Sequence, residues 1–192
     1  LNISENYRSV TFADISTINP AYAINPNIKD ESGFTFDLGT RGNFKKIINF
    51  DFSAFLLNYD DRIGFIQRAL EDGNVKAYRT NTGNALIYGM EGIADINLRD
   101  IFSNSSQYNF NLFTNVSIIN SEYVSSSETG VVGKSVEFVP NLNLKSGIKF
   151  GYKNITSYLQ YSHISDQFSD STNAIESNLS GLIGLIPAYD IL

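Results

Sequence analysis

The sequence predicts an all-β fold, a sector of an antiparallel transmembrane β-barrel with about eight meandering strands. Three observations lead there. Apolar and polar residues alternate with period two along most of the chain, and no i, i+3, i+4 stripe of an amphipathic helix interrupts them. The links between alternating segments come short and long in turn. The polar partners are mostly Asn, Ser and Asp, which are costly in a packed core without hydrogen-bond partners but ordinary against water.

Taken in order, the first strand covers Leu1 to about Arg8. GFTFDLGTRG follows, with Phe34, Phe36 and Leu38 on one face and Thr35, Asp37 and Arg41 on the other. RGNFKK reads as a short Gly-Asn turn. The strand from 47 to 59 then sets Ile48, Phe50, Phe52, Ala54 and Leu56 against Asn49, Asp51 and Ser53. At 84–99, Leu86, Tyr88, Met90, Ala94, Ile96 and Leu98 oppose Glu91, Asp95 and Asn97. A DIFSNSS link leads to QYNFNLFTNVSI, where Tyr108, Phe110, Leu112, Val116 and Ile118 oppose Gln107, Asn109, Asn111, Asn115 and Ser117. PNLNLKSGIKFGY sets Leu142, Leu144, Ile148 and Phe150 against Asn141, Asn143, Lys145 and Lys149. A Lys153-Asn154 turn opens ITSYLQYSHIS, with Ile155, Leu159 and Tyr161 facing one way. The last strand is expected at 188–192.

Short links follow residues 41, 99 and 151, and long polar ones fall at about 9–32, 64–83, 122–138 and 167–186. Successive antiparallel strands therefore put every short turn at one end and every long loop at the other, as membrane barrels do and Greek-key sandwiches do not. Phe44, Phe102, Tyr108 and Tyr152 near the short turns, with Tyr59, Tyr123 and Tyr161 near the long loops, are expected to form two interfacial aromatic rows. The greasy face then meets lipid, and the wet face meets a watery or plugged lumen.

Composition agrees. Of 192 residues 42% are hydrophobic and only 18% charged, against about 25% charged in an ordinary soluble domain. The net charge of −6 argues against a nucleic-acid partner. With no cysteine there is no disulfide framework and no thiolate metal site. No apolar run reaches the ~18 residues of a membrane-spanning helix. LNISENYRSV is not a signal peptide, and IPAYDIL breaks off as a strand begins, so residues 1–192 are expected to be one partial barrel domain cut at both ends.

Three stretches carry a family resemblance. Residues 25–64, NPNIKDESGFTFDLGTRGNFKKIINFDFSAFLLNYDDRIG, resemble the barrel of TonB-dependent outer-membrane receptors, in which an NP-x-L-K-x-E segment leads into a strand, a short turn and an aromatic-Asp-rich strand end. YRTNTGNALIYGMEG, 78–92, is similar to the family's N-x-G-x-x-x-x-G-x-E strand. DQFSDSTNAIESNLSGLIGLIPAYDIL resembles the late barrel of ferric-dicitrate-type receptors, where a QF-x-D-x-x-N loop precedes a G-x-IP-x-aromatic strand start. The resemblance covers essentially the whole chain. It implies a 22-stranded barrel contributing roughly strands 13 to 20 here, with the plug domain and the TonB-binding segment lying outside. It also implies a bacterial outer-membrane location, a ferric siderophore or ferric citrate as cargo, and TonB, membrane lipid and lipopolysaccharide as partners. A passive channel or porin and a soluble β-sandwich binding module are the alternatives.

Capture of an anionic ferric chelate calls for fixed cations and donors at the long-loop mouth, since an Arg fork matches carboxylates bidentately. Arg68 and Arg79, with Gln67, Asn81 and Asn84, are the candidates. The plainer reading makes both arginines loop charges paired with Glu71, Asp72 or lipopolysaccharide phosphates. Asp60, Asp61 and Arg62 read as a strand-end cap, and His163, the only histidine, as a rim residue. Glu91 and Asp95 lie ~13 Å apart on one strand face, too far for a paired-carboxylate mechanism. The N-x-[ST] triplets read as accidents of an Asn- and Ser-rich lumen. With no phosphate loop, nucleophile elbow or zinc spacing, no catalysis, cofactor or metal site is expected.

Overall fold

The computed structural model describes residues 1–16, 19–70, 73–102, 107–178 and 181–189. In chain order the elements are β1 (Asn2–Arg8), α1 (Phe12–Ile15), β2 (Tyr22–Ile24), β3 (Glu31–Phe44), β4 (Ile48–Ala69), β5 (Val75–Asn97), α2 (Arg99–Phe102), β6 (Tyr108–Ser125), β7 (Leu142–Tyr152), β8 (Ile155–Ile164), β9 (Gln167–Phe168), β10 (Glu176–Ser177) and β11 (Leu182–Tyr189). Eight strands run in the order β1-β3-β4-β5-β6-β7-β8-β11, every neighbouring pair antiparallel. This is the expected meander as an open sheet. The last strand lies at 182–189 rather than 188–192: Leu182 to Tyr189 all find partners on β8, while 190–192 lie outside the described residues.

In its lower, short-turn half the sheet is a single layer with two different faces. Phe36, Leu38, Phe52, Met90, Ile118, Ile148, Phe150 and Leu159 form a continuous apolar wall, all of them exposed. Aromatic rings meet across this wall, Phe110 with Phe150 at 6.4 Å and Tyr108 with Tyr152 at 5.0 Å between centroids. Gly92 leaves room for the ring of Phe52; a Cβ there would lie 2.5 Å from it. The other face carries polar pairs such as Asn2 with Asp37, Asn43 with Asn49, and Ser117 with Glu91. No second sheet packs on either side among the described residues, which removes the sandwich alternative.

β4 and β5 are 22 and 23 residues long, about twice the 9–11 that cross a membrane as tilted strands. The expected loop at 64–83 is therefore a hairpin, with only 70–74 between its strands. Asp60, Asp61 and Arg62 do not end the strand. Register slips between Tyr59 and Ile63, with positive φ at Asp61 (54°) and Gly83 (136°), make a double bulge. Because strand side chains alternate, the bulge exchanges the faces. Below it Leu57 and Ile87 point inward; above it Arg62, Ile66 and Thr82 do.

The aromatic rows survive at one end only. Phe44, Tyr108 and Tyr152 are exposed on the outer wall, and the side chain of Phe102 lies outside the described residues. At the long-loop end Tyr161 is exposed and stacks on His163 at 6.4 Å, at the end of β8. Tyr59 and Tyr123, however, point inward into the core, and Tyr123 is fully buried. Loop packing claims them.

The first short turn also sits elsewhere than expected. Gly42 and Asn43 remain in the strand, and Lys45-Lys46 form the tip, closed by Ile47 N–H donating to the Phe44 carbonyl at 2.9 Å. Both lysines are left-handed, at φ 51° and 56°, as the tight hairpin requires. That geometry favours Asn-Gly, because a Cβ costs about 1 kcal/mol or more there. The Asn43 side chain supports the tip by accepting from Lys46 N–H at 2.7 Å. Lys153, at φ 51°, does the same duty in the β7–β8 turn. Replacing Lys45-Lys46 by Asn-Gly is expected to raise stability by about 1–2 kcal/mol, read as a higher Tm in uncharged detergent; an unchanged or lower Tm would contradict the turn geometry.

Candidate functional site

Buried side chains gather at the long-loop end. Ile66, Ala85, Ile87, Tyr123, Val131 and Val136 form one cluster, with Phe55, Leu57, Tyr59 and Ile119 packed against it. Here both faces of β4 are apolar, so the inner one needs a cover. Residues 126–141 provide it by folding inward: Gly133 N–H donates to the Tyr123 carbonyl and Tyr123 N–H to the Lys134 carbonyl, each at 2.9 Å. Gly130 and Gly133, both at positive φ, make that reversal possible.

A buried polar knot fixes the cover. Arg62 donates to Glu137 at 2.5 Å and to the Tyr123 hydroxyl at 2.9 Å. Tyr123 donates to the second Glu137 oxygen at 2.7 Å, and Thr82 donates to Tyr123 at 2.9 Å. Glu137 is 3% exposed, and Arg62 and Tyr123 between them donate to both its oxygens; removing one partner of such a buried pair costs about 3–5 kcal/mol. Gly64 lets the carboxylate approach, since a Cβ there would sit 2.4 Å from Glu137 Oε1.

The segment 165–178 clasps the same cover. Asn173, left-handed at φ 57°, uses its side-chain amide as a peptide would: it accepts from Ser135 N–H at 2.8 Å and donates to the Ser135 carbonyl at 2.9 Å. Phe138 N–H donates to the Phe168 carbonyl at 2.8 Å, and Ser171 donates to the Phe65 carbonyl through N–H and hydroxyl. Asp170, almost fully buried, orders this turn by accepting from Thr172 N–H at 3.0 Å and Ile175 N–H at 2.9 Å. The QF-x-D-x-x-N motif thus ties two loops and the β4–β5 hairpin together.

On the other side of that hairpin lies the 9–30 connection. Asp14, buried, accepts from Thr11 N–H at 2.9 Å, the Thr11 hydroxyl at 2.7 Å, Arg8 at 2.8 Å, and Arg79. Burial alone would raise its carboxyl pKa, but these donors outweigh it and hold the group well below its ordinary 3.8. Asp30 is also lowered, chiefly by the Tyr7 hydroxyl and then by Val10 N–H. β2 then adds in parallel to β5 at Ala77–Arg79.

This placement does not bring the five predicted residues together. Arg68 pairs with Glu128 and lies 4.1 Å over the Tyr78 ring on the inner side. Arg79 pairs with Asp14 and stacks 4.9 Å over Phe65 on the opposite side. Both arginines are engaged with carboxylates, Glu128 and Asp14; Glu71 and Asp72 lie outside the described residues. Gln67 is exposed on the strand. Asn81 and Asn84 instead bind the bulge: Asn81 donates to the Lys29 and Asp61 carbonyls, and Asn84 accepts from Asp61 N–H at 3.1 Å.

These two asparagines line a cleft of about 490 Å³ with Asn25, Asn27, Lys29, Asp61, Ser126 and Glu128. It opens because β2 pairs with β5 up to Arg79 and β6 only from Asn84, leaving a gap on one strand edge. Its walls are mostly amides and hydroxyls, with Lys29 set among the carboxylates of Asp61 and Glu128, the latter paired with Arg68, so it suits a polar ligand carrying both donors and acceptors. Sequence reasoning missed Asp14, Tyr123 and Glu137, whose partners are distant in the chain. Asn173 had a signal, its place in the QF-x-D-x-x-N stretch.

Two outcomes test this arrangement. Asn173→Ala should speed amide exchange at Ser135 and Phe138 as well as within 165–178, and destabilise the cover by about 1–3 kcal/mol; exchange confined to 165–178 would contradict the clasp. Because the folded Asp14 pKa is lowered, its contribution is complete above the ordinary 3.8 and is lost only as pH falls through the lowered value. Protease protection of 9–30 should therefore hold at about pH 5 and vanish only in stronger acid; release already at about pH 5 would contradict the clamp.

The family model "TonB dependent receptor-like, beta-barrel" matches residues 1–192. Among solved structures, the unliganded ferric citrate transporter FecA is 21% identical, with TM-score 0.66 over 86% of this chain and 24% of its own. The copper transporter OprC is 15% identical, TM-score 0.70, over 97% of this chain and 29% of its own. The ferric yersiniabactin uptake receptor FyuA from Yersinia pestis is 16% identical, TM-score 0.65, over 97% and 26%. No curated protein matches the chain. It spans about a quarter of the length of these structural neighbours. The meander, the two-faced sheet and the match over its whole length place the chain in the TonB-dependent receptor β-barrel family.

Proposed function

We propose that residues 1–192 form part of the barrel of an outer-membrane receptor that imports a ferric chelate, ferric citrate or another siderophore, with energy delivered through TonB. The observation that carries this reading is the family match over 1–192 on a sheet whose outer wall is apolar and whose inner face is polar. An apolar wall of this kind suits lipid, and a ladder without gaps in the lower half suits a medium that cannot satisfy a backbone group. Family membership supports a receptor over the passive porin.

Ligand chemistry supports this cargo class. The chain has one histidine, one methionine and no cysteine, and Met90 lies on the outer wall. Soft and imidazole ligands for a bare copper or zinc ion are therefore scarce. The amides, hydroxyls and Lys29 of the cleft, beside the carboxylates of Asp61 and Glu128, suit the polar periphery of a chelate whose iron is already wrapped. Asn81 and Asn84 are the predicted residues that stand at this cleft, while Arg68 and Arg79 hold its surrounding loops through Glu128 and Asp14. The test is growth of an iron-starved strain, lacking its own receptors, that carries the full-length gene and is fed individual iron chelates. Growth on ferric citrate or a siderophore that depends on TonB is the expected result. TonB-independent growth on every chelate would favour a passive pore.

A further inference from the structure

We propose that the short-turn end of the sheet docks anionic phospholipid headgroups through Lys45, Lys46 and Lys153, an inference that rests on the membrane-spanning reading above. Both hairpin tips place lysine where the backbone is left-handed, although the turn geometry favours asparagine or glycine. Local folding preference does not account for that choice. A requirement for charge at these positions does.

The side chains point the same way. Lys45 Nζ lies 5.3 Å from the centroid of Phe44, and Lys153 Nζ 5.2 Å from that of Tyr152. Both rings belong to the outer apolar wall, Phe44 beside Ile48 and Tyr152 beside Tyr108. Each ammonium is thus held at the lower border of the wall that faces lipid, outside the polar inner face where a soluble anion would arrive. Aromatic rings settle at the headgroup level, so these cations lie level with phosphates. Among the described residues, none of the three lysines forms an ion pair. The chain as a whole is acidic, at −6; near the first hairpin tip Asp51 and Asp95 share the inner face with Asn49, Asp51 beside Arg41, and not the outer border where Lys45 lies. The basic border is therefore not a reflection of general composition.

The test uses the full-length receptor in phosphatidylcholine bilayers carrying spin-labelled phosphatidylglycerol or spin-labelled phosphatidylcholine, comparing the two fractions of motionally restricted lipid. Wild type should prefer phosphatidylglycerol, by up to about fivefold per engaged lysine at low ionic strength. Lys45→Asn/Lys46→Gly/Lys153→Asn should lose most of that preference while keeping or raising Tm in neutral detergent, which separates headgroup binding from a structural role. Lys45→Arg/Lys46→Arg/Lys153→Arg should retain it. An unchanged preference in the uncharged variant would overturn the proposal and leave the membrane-spanning reading intact. Absence of restricted lipid of either kind in wild type would overturn both.

Discussion

Hydrocarbon offers a backbone N–H or C=O no partner, so a strand that crosses it must be paired along both edges. The rest of this structure depends on that constraint. The eight strands of the meander, β1, β3 to β8 and β11, are joined antiparallel in chain order, and β3 and β4 stay in register from Ser32 to Phe44. With the backbone satisfied laterally, the lower half needs no second layer. Its side chains are free to meet two different surroundings, Phe52 and Met90 on one side and Ser53 and Glu91 on the other.

The long-loop half obeys different rules, and the double bulge at 59–63 and 82–84 divides the two. Above it the strands continue but the faces exchange, so that Arg62 turns inward to receive Glu137 and Thr82 to meet the Tyr123 hydroxyl. Ordinary packing returns here, with loops in place of a second sheet. Val131 and Val136 cover the apolar inner face, Glu137 is neutralised beneath them, and Asn173 bridges to Ser135. On the far side Asp14 collects Arg8, Thr11 and Arg79. The long-loop end is therefore a set of loops held by buried charge on the β4–β5 hairpin. The cleft at Asn81 and Asn84 exists because β2 and β6 share one edge of β5 without meeting.

The strand pattern was legible because it is local: residues two apart share a face, and 48–56 or 108–118 display that directly. Loop sorting carried the end-to-end polarity. What could not be read locally was lost. Asp60 and Asp61 look like a strand end, and only the partner register shows a bulge through which β4 continues. Tyr123 reads as an interfacial aromatic until residues 126–141, folded from the far side, bury it. Arg68 and Arg79 read as ligand-facing cations or as partners of the nearby Glu71 and Asp72, because Glu128 and Asp14 stand sixty or more residues away in sequence. The turn at Lys45-Lys46 was misplaced to Gly42-Asn43 because the sequence there opposes the backbone's preference.

The most direct measurement is a single-cysteine scan of β4 from 48 to 58 in the full-length receptor, with any cysteine outside residues 1–192, which contain none, replaced beforehand. Each site would carry a spin label in a bilayer, with accessibility to oxygen and to a water-soluble nickel chelate compared. Oxygen should dominate at 48, 50, 52, 54 and 56, and the chelate at 49, 51 and 53. The opposite phase, or no alternation at all, would mean that the apolar wall does not face lipid.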